Sequence, residues 1–544
     1  MKKKIVLLSL IIIFLGLSLR IIAIPWGLTT GKYFHFVTYH PDESETLKAI
    51  ATLNPYKLDF KIDNVLVARG TFQIYLTAVW LKLASLTRFI KIYPSFDYYK
   101  ANPRELAKLL IAGRSLSVFF GMLTIIILIF IGKIFYGNIA TGLLSAFLLA
   151  ITPLHVVWSH YIGTDTIITF QTCLISLFCF YIIKSGNRKI YIALGILVGL
   201  AGATKCSILP ILLLPILAHI ISGNKIFDKK LLFYLLFLPV GFIIGNPYGI
   251  IQPNEYIAIL KSVKATVGSN PEASYSDAFG AQPNLIFYLI TTPKYTFGIP
   301  LSVLFVSGLI FSFVKSKKTD ILILFWIILF YLFISLSSNW KMVRWQLPYL
   351  PFLCLLSARF IIYAYNKYSK IFVITAVTMI SLWTLLYSAA YIKMMTEQDV
   401  RDESSEWIEK DIPEDKKIAA PYVEFWSPAI ITQRYWYKET DPFQKGVKKY
   451  KIVKMEYNTK LLETEKPEYV VLTDYEYYPI LGLKDKYPHK ELLPFLQKIM
   501  RGEQYTIIKK FEKQPSLFGM QFVSGFFPHD WRYTCPTILI YKRR

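Results

Sequence analysis

The chain has 544 residues, 54% hydrophobic and 16% aromatic with only 18% charged, too apolar for an ordinary soluble enzyme and too often interrupted for a single anchor. Its formal charge of +25 is unevenly spread: residues 392–544 carry 26 Lys and Arg against 23 Asp and Glu, which leaves 35 against 13 for residues 1–391. The basic excess therefore belongs to the apolar part, without the clustered basic face of a nucleic-acid binder, and suits short cationic loops at a membrane or a cavity for an anionic lipid headgroup.

Met1-Lys2-Lys3-Lys4 and the apolar run to Ile24 predict a first membrane helix that is retained, because the run is long and no small-residue cleavage site follows. Further apolar stretches lie near 113–132, 138–156, 165–183, 190–204, 207–222, 231–247, 296–314, 319–336, 346–364 and 371–391, giving eleven predicted spans. Alternate loops are basic: Lys133, Lys184 to Lys189, Lys225 with Lys229 and Lys230, Lys315 with Lys317 and Lys318, and Lys367 with Lys370. Those loops and the N-terminus are expected on the cytoplasmic side, and an odd number of spans puts the tail outside. The five cysteines show neither a disulfide framework nor a metal-binding spacing.

Residues 1–391 thus read as a membrane domain with two long outer loops, 25–112 and 248–295. The first loop holds helix-like stretches at 42–52, 71–88 and 103–112, the middle one amphipathic enough to lie along the membrane surface. Residues 392–544 read as a small extracytoplasmic α/β domain: a helix near 401–408 leads into 416–420, and strands are predicted at 469–472, 505–508 and 537–541.

Helical rise supplies a ruler for the charges, since about 20 residues cross a hydrocarbon core of roughly 30 Å. Arg114 precedes Lys133, Asp165 precedes Lys184 and Lys205 precedes Lys225 by one such length, so all three are expected at the outer boundary. Arg344, before Lys367, falls at a similar level, and Arg20 lies just inside the outer edge of the first helix. Asp42 and Glu43 enter the same layer from the loop above. Snorkelling and simple pairing explain any one of these residues taken singly. Gathered together, carboxylates among several cations suit a phosphate leaving group and a nucleophile that must lose a proton. That is the layout for sugar transfer from a polyprenyl phosphate, and one base opposite the leaving phosphate predicts inversion.

Tyr39-His40-Pro41-Asp42-Glu43 after a helix ending in Leu19-Arg20 resembles the glycosyltransferase C superfamily, particularly the protein O-mannosyltransferase branch and the aminoarabinose transferases of lipid A. Gly113-Arg114-Ser115, the stretch from Pro153 through Ser159-His160-Tyr161 to Asp165, Thr204-Lys205, Arg344-Trp345-Gln346-Leu347-Pro348 and the closing Cys535 to Tyr541 follow the same order. The resemblance implies a polytopic α-helical glycosyltransferase C fold. It casts Asp42 as the catalytic acid that serves as general base, Glu43 as its neighbour and Asp165 as the second outer acid. Arg114 matches the family's arginine opening the second helix, and Arg114, Lys205, Arg344 and Arg20 are expected to hold the donor phosphate. His40 and His160 are expected to contact the acceptor or, with Asp165, to frame a divalent ion. The acceptor is a protein, a glycan or a lipid, with no nucleic acid among the partners. A transporter or flippase of lipid-linked sugars is the competing reading, but such proteins more often show repeated halves and sites near the midplane.

Overall fold

The computed structural model describes residues 2–28, 38–57, 59–62, 70–93, 95–225, 228–265, 278–420, 425–431, 448–455, 459–483 and 492–544. Parts of both long loops, 29–37, 63–69 and 266–277, lie outside the described residues.

Each of the eleven apolar stretches is helical. The first is α1, Lys2–Ile21, followed along the chain by Pro103–Tyr136, Ile139–Ile151, Asp165–Lys184, Arg188–Thr204, Cys206–Ile221, Lys229–Gly245, Ile299–Val314, Lys318–Leu336, Leu350–Lys367 and Lys370–Thr396. Five helices are long and apolar enough to cross a membrane by length and composition, among them α1 and Pro103–Tyr136, and several shorter apolar helices stand beside them. The chain is a multi-pass membrane protein. Sequence reading separates a loop helix at 103–112 from a span at 113–132; instead they form one continuous helix of 34 residues. No proline or glycine cap interrupts it at Gly113, and Leu106, Leu109 and Leu110 continue its buried stripe outward.

Small residues bring the helices close. A Cβ on Gly199 would fall 2.2 Å from the carbonyl oxygen of Leu238, and one on Gly241 would fall 2.1 Å from that of Ile196, so helices 188–204 and 229–245 touch backbone to backbone. The loop before the site uses the same device: Gly70, at φ +117°, lies against the end of helix 188–204, where a Cβ would meet the Ala203 oxygen at 2.4 Å. The amphipathic stretch of the first loop is a helix, α3, Phe72–Leu86, and the acidic pair opens a shorter one, α2, Pro41–Ala51.

The C-terminal part contains a five-stranded sheet: β1 (Lys417–Ala420), β2 (Lys451–Lys454), β3 (Tyr469–Thr473), β4 (Tyr505–Glu512) and β7 (Thr537–Arg543), in the order β2-β1-β3-β7-β4. β1 runs parallel to β2 and β3, while β7 runs antiparallel to β3 and β4. Strands β5 (Ser516–Leu517) and β6 (Met520–Gln521) form a separate hairpin. Alternation along β3 and β7 sends Val471, Ile538 and Ile540 to one face, packed with Ile408 of helix Val400–Asp411. Val470, Leu472, Leu539 and Tyr541 go to the other face, against Phe495 and Leu496.

At the end of β3, burial pushes the carboxyl of Asp474 up to about 7 despite Arg532, and that of Glu476 up to about 8 despite the Thr473 amide. The folded domain therefore holds protons that the unfolded chain gives up near pH 4. Stability is full below that pH and falls as pH rises through 7 and 8. Thermal unfolding in detergent is expected to show a lower Tm at pH 9 than at pH 6, and Asp474→Asn to reduce that difference; a Tm that rises with pH would contradict it.

Candidate active site

The site is assembled around the first turn of α2. Pro41 at its start is preset for a helix, and Asp42 and Glu43 occupy the turn whose free N–H groups favour negative charge. Consecutive helical residues point about 100° apart, so the two carboxylates diverge.

Glu43 turns inward. It accepts from Arg114 Nε at 2.8 Å and Nη2 at 2.7 Å, a two-point pair, and from the Ile162 amide at 3.0 Å. Arg114 also donates from Nη1 to the carbonyls of Ile24 and Trp26, each at 2.7 Å. Both side chains are wholly buried. Burial alone would raise the Glu43 carboxyl, but the Arg114 guanidinium overrides it and holds the group below its ordinary value. Arg114 thus departs from its expected role at the donor phosphate: its charge is balanced, its donors are engaged and none of its surface is open.

Asp42 turns the other way, with its Oδ2 3.2 Å from Nη1 of Arg344. Arg344 stands in the turn Val343–Gln346, which precedes helix Leu350–Lys367. Asp165 opens helix Asp165–Lys184, and its Oδ1 accepts from Nζ of Lys205 at 2.6 Å; Lys205 follows directly on helix Arg188–Thr204. Arg344 lies in the electrostatic field of both Asp42 and Asp165, so the two pairs are close enough to act on one another. Exposure separates these pairs from the first. The side chains of Asp42 and Arg344 are 22% and 10% exposed and those of Asp165 and Lys205 10% and 16%, against zero for Glu43 and Arg114. The outer pairs are partly open and the inner pair is closed.

Arg20 also leaves the expected phosphate set. Its Nη1 donates to Gly16 and Ala150 and its Nη2 meets Nδ1 of His155 at 2.7 Å, closing the carbonyl end of helix Ile139–Ile151 from a fully buried position. His160 is buried, with Nδ1 2.9 Å from the Val156 carbonyl. His40 stacks on Tyr161 at 4.4 Å and meets Trp158 and Tyr533 edge-on. Burial pushes its imidazole down to about 4, against the pull of Asp42 and Glu43, so it is neutral at physiological pH. The expected frame of His40, His160 and Asp165 for a divalent ion is not gathered: among the described residues no three His, Cys, Asp or Glu form such a group, and Asp165 is already balanced by Lys205.

The C-terminal domain supplies residues that sequence reading missed. Asp530 accepts from the backbone N–H groups of Val343 and Arg344, at 2.9 and 3.2 Å, and so caps the turn that carries Arg344. Tyr39 donates to Asp402 at 2.6 Å, beneath the guanidinium of Arg401, whose carbon lies 3.6 Å from the ring centre. Arg401 itself is held by Asp399 and by the Tyr533 carbonyl. The available signal was His529-Asp530-Trp531-Arg532-Tyr533, a polar and aromatic run immediately before the familiar closing segment.

Residues 107–248 match the family model described as Dolichyl-phosphate-mannose-protein mannosyltransferase. No curated protein matches the chain in sequence. In structure it is similar to the apo oligosaccharyltransferase of Archaeoglobus fulgidus, at 13% identity and a TM-score of 0.51, over 96% of this chain and 74% of that one. AglB from the same organism, in complex with an inhibitory peptide and a dolichol-phosphate, is similar at 12% identity and a TM-score of 0.51, over 97% and 75%. ArnT from Cupriavidus metallidurans bound to undecaprenyl phosphate is similar at 11% identity and a TM-score of 0.48, over 98% and 97%. The chain shares the fold of these two oligosaccharyltransferase structures, a polytopic α-helical fold of the kind that the resemblance to glycosyltransferase C implied.

Removing one partner of a buried ion pair strands the other, at a cost of about 3–5 kcal/mol. Arg114→Ala is accordingly expected to lower Tm and folded yield strongly, and the double variant Glu43→Gln, Arg114→Ala to recover part of the loss. A fully stable Arg114→Ala protein with weakened lipid-phosphate binding would restore Arg114 to the substrate.

Proposed function

We propose that this chain, with its glycosyltransferase C fold, transfers a sugar from a polyprenyl-phosphate donor to an acceptor hydroxyl on the extracytoplasmic face, inverting the anomeric centre. One observation carries the reading: Asp42 is partly open and paired with Arg344, which also feels Asp165 of the Asp165–Lys205 pair, at the helix ends opposite the basic loops. A site that offers partly open carboxylates, Asp42 the more open, beside two partly open cations suits a proton acceptor facing an anionic leaving group.

The acceptor oxygen attacks the anomeric carbon as its proton passes to the Asp42 carboxylate. The bond from that carbon to the phosphate oxygen breaks, and its electron pair leaves with the polyprenyl phosphate, whose gathering charge Arg344 and Lys205 hold. Asp165 keeps Lys205 aimed at the phosphate, while Glu43 and Arg114 fix the turn on which Asp42 stands. No step is routed through a divalent ion, since Asp165 faces Lys205 and His160 faces a backbone carbonyl. The match to a protein mannosyltransferase model over 107–248 favours a hexose donor and a protein hydroxyl acceptor. Excess Lys and Arg in the loops at the other end supports a cytoplasmic N-terminus and an outer C-terminal domain.

Radiolabelled transfer in membranes holding the full chain tests the reading. Asp42→Asn is expected to cut turnover by about 10²–10⁴, the usual weight of a general base, while binding of sugar-free dolichyl phosphate persists; full turnover would remove Asp42 as the base.

Asp530 is a positioning residue, because it touches the backbone beneath Arg344 and not the substrate. Asp530→Asn replaces one acceptor oxygen by a donor facing an N–H group, and is expected to raise the donor KM several-fold with a smaller change in kcat. Asp530→Glu should recover part of it. Equal losses in KM and kcat, with no rescue, would reduce Asp530 to a merely structural contact.

A further inference from the structure

Beside Asp42, three rings pack into one cluster. His40 lies on Tyr161, and Trp158 meets them edge-on, with ring centres 5.6 Å from His40 and 5.2 Å from Tyr161. All three are at most 3% exposed, yet the indole Nε1 of Trp158, the hydroxyl of Tyr161 and both ring nitrogens of His40 have no hydrogen-bond partner in the protein. A buried polar atom left unpaired is costly, so four on adjoining rings call for a ligand or for water.

The chemistry of the cluster selects the ligand. The indole donates only, whereas the phenol and a neutral imidazole both donate and accept. None of the three is charged. Hydroxyl groups, which also donate and accept, complement such a set better than phosphate, which is met by the cations alongside. One face of His40 lies on Tyr161, and the guanidinium of Arg344 stands over one face of Trp158 at 5.2 Å. The unpaired atoms at the ring edges point to recognition by hydrogen bonds.

We infer that Trp158, Tyr161 and His40 form the subsite for the sugar ring of the lipid-linked donor, holding its hydroxyls while Arg344 and Lys205 hold the phosphate. The inference rests on the proposed function and deepens it: the sugar is bound by the turn between helices Pro153–Trp158 and Asp165–Lys184 and by the residue before Pro41.

Trp158→Phe and Tyr161→Phe each delete one polar group and keep a ring, so packing is largely spared. The probes are radiolabelled dolichyl-phosphate mannose and dolichyl-phosphate glucose, their undecaprenyl counterparts, and sugar-free dolichyl phosphate, tested with the full-length protein in membranes. With the donor that the wild type uses best, kcat/KM is expected to fall about tenfold in each variant, while binding of sugar-free dolichyl phosphate is unchanged. Unaltered transfer in both variants would mean that water alone satisfies these groups, and would overturn the inference. An equal loss of sugar-free binding would also overturn it, as a general disturbance of the crevice. A wild type that binds lipid phosphate yet transfers from none of the four donors would instead overturn the functional reading beneath it.

Discussion

The two-point pair between Glu43 and Arg114 is the contact on which the rest of the site depends. It joins a loop helix to the membrane helix Pro103–Tyr136, and Arg114 extends the hold to the carbonyls of Ile24 and Trp26, just beyond α1. Burying two charges costs several kcal/mol each, which only full pairing and further hydrogen bonds offset. Glu43 and Arg114 have both, so the pair fixes a unique arrangement more than it adds net stability. Once Glu43 is locked inward, helical geometry leaves Asp42 a single direction, toward Arg344.

A second constraint comes from the far end of the chain. The turn bearing Arg344 would leave two backbone donors open on its inner side, and Asp530 takes both. Tyr39, one residue before His40, is fixed to the same domain by its hydroxyl on Asp402 and by the Arg401 guanidinium over its ring. Three distant segments, near 39–43, 343–346 and 529–533, therefore depend on one another. Precise placement of a crevice lined by loop residues needs such cross-bracing, because loops alone are the least rigid carriers of a site.

Much of this was legible in the sequence because apolar run length and loop charge are strong signals. Every predicted span is a helix, and strands 469–472 and 537–541 fall within β3 and β7. The ruler placed Asp165 and Lys205 at one end of their helices, which is where they stand, whereas Arg114 lies inside a helix that runs on outward to Pro103. What it could not supply was rotation about the helix axis. Residue spacing fixes height, but whether Arg114 meets substrate or Glu43 depends on packing partners 71 residues away. Arg20 illustrates the same limit: its level marks it as interfacial, while its carbonyl partners at Leu149 and Ala150 make it a brace between helices. Asp530 was illegible for another reason, since it acts on backbone N–H groups, which carry no residue-type signature.

The pairing of accessible acids with accessible cations bears on catalysis itself. In the proposed donor, the phosphate diester carries one negative charge; as the glycosidic bond breaks, a second gathers on the departing oxygen. Cations left bare would bind the ground state tightly and gain less at the transition state. Arg344 and Lys205 are instead partly balanced by Asp42 and Asp165, so their hold on a singly charged donor is moderated. With Asp42 as the proposed base, its own charge would disappear on accepting the acceptor's proton, and Arg344 would be freed for the leaving phosphate at the moment that charge grows. Base and cation are then one device: proton uptake on one side of the ion pair strengthens electrostatic stabilisation on the other, so the interaction tightens in the transition state more than in the bound donor.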